Sequence, residues 1–207
     1  MCSSDLLNDF VRQRFGDRTA ARKYIEEMIG VDRRLIDQEP ASKDRHRRLR
    51  DDLTKLATLL LEVNQPAAAR DAYGDAFVAV ERWLGIARDN FMKTSSDANR
   101  NDLGSAYGDA GWTALLAGRA SEAAAHIEAA QSISPDSPMN TVNLGHAYLF
   151  LGRYAEAVKL YAAVKDRNRT EDGKSTYAQA IKNDFALFRR LELTRPDMAR
   201  IERELKF

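Results

Sequence analysis

The sequence predicts an all-α chain, a right-handed α-solenoid of stacked helix–turn–helix repeats closed by a C-terminal capping helix pair. Three observations predict it. Gly111 to Gly145, Ala123 to Ala157 and Ile127 to Tyr161 are each 34 residues apart, and Ala57 to Gly111, Ala69 to Ala123 and Tyr73 to Ile127 are each 54 apart. Three agreeing offsets in each comparison mark a repeated unit, and periods of this size belong to stacked supersecondary elements. Between the matched positions apolar residues recur at three- and four-residue spacing, the period of one helix face. Proline or glycine punctuates the turns.

Taken in order, Met1–Leu6, MCSSDL, matches a translated sequencing-adapter end read from a GTG start. It is read as a non-native leader ahead of an N-terminally truncated piece. Residues 7–170 are assigned to about four repeat-like helix pairs and 171–207 to the capping helices. Leu7, Phe10, Val11 and Phe15 make a short apolar pattern stopped by Gly16. Thr19 is placed to cap a second helix carrying Ala21, Tyr24, Ile25, Met28, Ile29, Leu35 and Ile36 as far as Pro40. Leu49, Leu53, Leu56, Ala57 and Leu60 form the next stripe. Asn64-Gln65-Pro66 breaks it and opens a helix with proline in its first turn. That helix runs on through Trp83 and Leu84 to about Phe91, which accounts for the 54-residue spacing. Leu103 to Ala114, then Gly118, then Ala123 to Ala130 make the following pair. The charged stretch KDRNRTEDGKS after Val164 reads as a surface loop. Beyond it, Tyr177, Ala180, Ile181, Phe185, Phe188 and Leu191 share one face, and Pro196 opens a last short helix with Met198, Ile201 and Leu205. A stack otherwise ends in exposed apolar surface, so its last pair is expected to be atypical.

Composition excludes several classes. Apolar residues make up 44% of the 207, enough for a substantial core. Thirty-two basic and thirty-one acidic side chains leave a net charge of +1, so no global field steers the chain to nucleic acid or an anionic membrane. No apolar run approaches the roughly 18 residues that span a bilayer, and a cytoplasmic location is expected. The single cysteine, Cys2, excludes an intramolecular disulfide and a cysteine-rich zinc site.

Within Pro138–Val164, Leu144-Gly145, Tyr148, Ala157 and Tyr161 follow the pattern of the tetratricopeptide repeat, with Thr141 where that pattern prefers tryptophan. Residues 42–164 resemble this family, most specifically through NLGHAYLFLGRYAEAVKLY. Residues 140–205 further resemble a C-terminal module of multidomain bacterial repeat proteins. His146-Ala147-Tyr148-Leu149, Asp184-Phe185 and Glu192-Leu193-Thr194-Arg195-Pro196-Asp197-Met198 carry that likeness. Glu192 and Arg195 replace a glycine and a histidine of the module.

The resemblance implies a binding scaffold that presents the first helix of each pair along a concave groove. Counted from Arg50, Gly104 and Pro138, the groove positions include Thr54, Thr58, Gly108, Trp112, Leu115, Met139, Val142, His146 and Leu149. Trp112 is the natural anchor. The expected partner is a protein or peptide held by apolar burial; the competing reading is that the capping helices fold over the same residues. The resemblance equally allows a regulatory or substrate-recruiting tail of a larger bacterial enzyme, for example a caspase-like one, and self-association through an N-terminal face around Phe10, Val11, Tyr24 and Met28. No cofactor is expected. The basic run Lys43 to Arg50 reads as a solvated face, with Arg47–Asp51 and Arg48–Asp52 at intrahelical pairing distance. Gly104, Gly108 and Gly111 lack the strand and Gly-Lys-Ser/Thr of a phosphate loop and read as close helix contacts. His46, His126 and His146 are spaced too widely for a helical metal pair.

Overall fold

Among the described residues, 18–169 and 175–206, the computed structural model contains nine helices and no β-strand. They are α1 (Arg18–Gln38), α2 (Lys43–Glu62), α3 (Pro66–Lys93), α4 (Asp97–Leu116), α5 (Ala120–Ile133), α6 (Pro138–Phe150), α7 (Tyr154–Val164), α8 (Tyr177–Arg190) and α9 (Pro196–Glu204). The chain is all-α and has the architecture of an α-solenoid. Each helix from α1 to α7 packs on its successor, and α4 also touches α6 across the stack. The expected helix at 7–15, its stop at Gly16 and the six-residue leader lie outside the described residues.

One turn geometry repeats along the chain. Residues 63–65, 117–119 and 151–153 join α2 to α3, α4 to α5 and α6 to α7. Their middle residues, Asn64 (φ 57°), Gly118 (φ 78°) and Gly152 (φ 77°), occupy the left-handed region that stops a helix. The next amide then reaches back into the finished helix, from Gln65 to Leu60 O at 2.9 Å, Arg119 to Ala114 O at 2.8 Å and Arg153 to Tyr148 O at 2.8 Å. The same bond recurs from Leu193 to Phe188 O at 2.9 Å, with Glu192 at φ 58°. Glu192, which stands where the module resembled above has glycine, therefore takes a glycine-like conformation. Ser96, Ser137 and Thr176 cap α4, α6 and α8 by accepting the amides of Asn99, Asn140 and Gln179.

The 54-residue spacing resolves into the 28-residue α3. Its second half stays helical because it stays buried: Val80, Trp83, Leu84 and Ala87 are all in the core. The Asn99 amide closes its far end by donating to Asn90 O (3.2 Å) and Thr94 O (2.8 Å). Close approach of paired helices depends on two glycines. A Cβ on Gly111 would stand 2.3 Å from Ile127 Cγ1, and one on Gly145 would stand 2.6 Å from Tyr161 Cε1. The core forms two clusters: a small one shared by α1, α2 and α3, and a long one running from Ala57 to Ile201.

The connection between α7 and α8 departs from the three-residue turns. On its described part it folds back on itself: Arg169 N donates to Ser175 O at 2.7 Å and Tyr177 N to Arg167 O at 3.1 Å. This longer path frees α8 from the place a next repeat helix takes. The helix reaches back over the faces of α4 and α6, and Arg70 on α3 donates to the Leu191 carbonyl at its end.

Candidate functional site

The face formed by α2, α4 and α6 divides into two halves. In the half near α8 the aromatic and apolar residues are covered. Val142, His146 and Leu149 are each 0% exposed and Leu115 is 1% exposed. Trp112 is half-buried, its indole 6.0 Å from Phe188 and 6.4 Å from His146, centroid to centroid. Phe188 meets the His146 and Phe150 rings edge-on at 5.0 Å each, and Phe185 meets Tyr161 edge-on at 5.9 Å. These residues are thus brought together, but around α8.

His146 is the polar centre of this half. Its Nδ1 is 2.8 Å from Tyr161 Oη, and its Nε2 is 3.2 Å from Asp184 Oδ2 on α8. A buried polar group must find partners or lose several kcal/mol of solvation. Both ring nitrogens have one, which fixes the ring plane. Burial, with the Asp184 charge adding to it, holds the Tyr161 phenol well above its ordinary range, so it stays a neutral hydroxyl. Its hydrogen-bond partners among the described residues are a phenol and a carboxylate. Among the described residues no three of His, Cys, Asp and Glu gather as a metal set, and no helix is long and apolar enough to cross a membrane.

The other half is open and polar. Thr54, Thr58 and Gly108 are half-buried, and Met139 is 36% exposed. Thr58 Oγ1 donates to Thr54 O at 3.0 Å, while Thr54 Oγ1 is buried without a hydrogen-bond partner. A Cβ at Gly108 would meet only Asn140 Oδ1, at 3.6 Å, so space lies above this glycine. Tyr73, behind Thr58, is raised from its usual value by burial.

Ion pairs between first helices brace this half. Arg50 Nη2 donates to Asp109 Oδ2 at 2.7 Å and Lys43 Nζ to Asp102 Oδ2 at 3.1 Å, both from α2 to α4. Burial raises the Asp109 carboxyl, and Arg50 opposes the shift. Asp51 pairs with Arg50 (3.3 Å) and Asp52 with Lys55 (2.7 Å), which differs from the pairing expected from spacing. The Arg47 guanidinium lies instead 4.9 Å from the Trp83 ring centroid and 4.0 Å from Asp44 Oδ1. His46 Nε2 lies 2.9 Å from Pro40 O, and His126 sits 3.2 Å from Glu81 between Phe77 and Tyr107. Sequence reasoning missed the α2-to-α4 pairs and the Asp184–His146 contact, since each joins residues 38 or more apart with no periodic relation.

Residues 114–180, from the end of α4 into α8, match the family model described as the tetratricopeptide repeat. The crystal structure of BtubC (BKLC) from P. vanneervenii is similar at 18% identity and a TM-score of 0.40, over 90% of this chain and 71% of that one. The structure of pilF from Pseudomonas aeruginosa is similar at 16% identity and a TM-score of 0.32, over 98% of this chain and 92% of that one. No curated protein matches the chain.

Proposed function

We propose that this chain is a tetratricopeptide-repeat protein and a non-catalytic scaffold that holds a peptide or helix of another protein on its concave face. Repeats of this kind generally mediate protein–protein interaction. The observation that carries the reading is that Thr54, Thr58, Gly108 and Met139, repeat positions of α2, α4 and α6, stay half-buried to 36% exposed while Val142, His146 and Leu149 are fully buried. A partner segment laid on this open strip removes apolar area from water at about 25 cal/mol per Å². Ordering costs offset part of that gain, so affinities on the order of micromolar follow.

Peptides selected from a displayed random library against the full chain test the reading. Thr58→Arg and Gly108→Arg place a long charged side chain in the strip and are expected to abolish their binding without lowering the melting temperature. Val78→Arg, on the outer face of α3 where Val78 is 53% exposed, is expected to leave it intact. Selected peptides that ignore Thr58→Arg and Gly108→Arg but are lost with Val78→Arg would place the binding surface on the convex side and overturn the proposal.

A further inference from the structure

Helix α8 displays, in the chain's own residues, the ligand chemistry that the covered half of the face accepts. Ile181, Phe185, Phe188 and Leu191 are each 0% exposed and follow one another at spacings of four, three and three, a single helix stripe. Asp184, directly before Phe185, places its carboxylate 3.2 Å from His146 Nε2. The receiving groups come from three helices of the repeat body: Trp112 on α4, His146 and Phe150 on α6, and Tyr161 on α7. His146, already held through Nδ1 by Tyr161, keeps its second nitrogen for an acidic residue on whatever helix lies there.

One feature marks α8 as an occupant rather than another repeat helix. It arrives by a twelve-residue connection, residues 165–176, instead of a three-residue turn, although it ends in the same left-handed turn as the repeat helices, with Glu192 at φ 58°. We propose that the aromatic half of the concave face is a receptor for amphipathic helices of the form apolar-x-x-acidic-aromatic-x-x-aromatic. In this view α8 fills the receptor in cis, and a partner helix of the same chemistry binds by taking its place. The inference rests on the reading that the concave face is the partner surface. Tethering gives α8 an effective concentration on the order of millimolar, so a free helix competes poorly until α8 is weakened.

A fluorescent peptide of residues 176–192, titrated by anisotropy into the full chain, separates receptor from occupant. Asp184→Ala and Phe188→Ala weaken α8 and leave the receptor whole; each is expected to tighten peptide binding at least tenfold over the unsubstituted chain. Adding His146→Ala to either removes the receptor side and is expected to abolish the gain. A peptide carrying Asp184→Asn is expected to bind at least tenfold more weakly than the parent peptide. A purely structural α8 predicts no such asymmetry. Failure of the peptide to bind the Asp184→Ala chain, whose altered carboxylate is partly exposed and whose fold circular dichroism checks, overturns the proposal. So does binding indifferent to His146. Either result leaves the open-strip reading standing, because that strip is probed at Thr58 and Gly108.

Discussion

Replacing Gly145 by alanine sets two opposed effects of known size against each other. Alanine is favoured over glycine inside a helix by about 1 kcal/mol. At Gly145 the added methyl would lie 2.6 Å from Tyr161 Cε1 and 3.0 Å from two more atoms of that ring. The ring cannot swing aside, because Tyr161 is 0% exposed, bonded to His146 at 2.8 Å and stacked edge-on against Phe185. Forcing an extra methyl into a packed core costs roughly 1–3 kcal/mol. The rigid ring puts this site at the upper end, so Gly145→Ala is expected to lose about 1–2 kcal/mol net. Gly85, in the middle of α3, is the internal control: nothing lies within 4 Å of its added Cβ. Gly85→Ala is therefore expected to gain about 1 kcal/mol from helix propensity alone. For a chain of this size each kcal/mol moves the melting temperature by about 2–4 °C. Thermal unfolding followed by circular dichroism at 222 nm reads both. A Gly145→Ala protein as stable as the parent would refute the claim that the α6–α7 contact is limited by this glycine.

Three further outcomes are expected. Asp32 is 1% exposed, and burial first, then neighbouring Asp52, raise its carboxyl above the ordinary 3.8. Ionising it disfavours the folded state, so the stability present below the unfolded value is lost as pH rises through the folded one. Asp32→Asn should consequently raise the melting temperature at neutral pH, with the advantage shrinking toward pH 4. Tyr161→Phe removes the hydroxyl and leaves His146 Nδ1 buried without its partner, a change expected to cost about 1–3 kcal/mol in urea unfolding. Glu192→Gly relieves a non-glycine residue of φ 58° and is expected to stabilise the chain by a few tenths to 1 kcal/mol, provided the exposed Arg70–Glu192 pair at 3.3 Å contributes little. An unchanged melting temperature would mean that this pair offsets the strain.

The repeat body was legible because its rules are local. The 34-residue offsets made Gly111 equivalent to Gly145 and Ile127 equivalent to Tyr161, and in the structure Gly111 meets Ile127 as Gly145 meets Tyr161. The 54-residue offset required a long helix, and α3 supplies it. Turn chemistry carried over even where glycine did not, since Asn64 takes the same left-handed conformation as Gly118 and Gly152. The face itself was less legible. Repeat position alone assigns Val142, His146 and Leu149 to a groove, yet their exposure depends on where α8 lies. That depends on the twelve-residue connection 165–176, whose sequence has no periodicity to read. The ion pairs of Arg50 with Asp109 and Lys43 with Asp102 were hidden for a related reason: a charged residue on a helix has several partners in reach, and the neighbouring helix decides among them.

Helix α3 carries residues of both hydrophobic clusters on adjoining faces. Ala76 and Ala79 pack toward Ile25 and Ile29 of α1, whereas Phe77, Val80 and Trp83 belong to the long cluster that continues to α9. In a one-dimensional stack, stability is a sum of local terms and separate regions can open independently. Helices shared by two cores, α3 and also α2 through Leu53 and Leu60, remove that independence where they lie. Hydrogen exchange should therefore find the amides around Ala76 to Trp83 among the last to exchange, protected by the unfolding of both sides together. The lengthened helix acts as a splice, making the N-terminal and C-terminal halves of the solenoid answer to one another when either is strained.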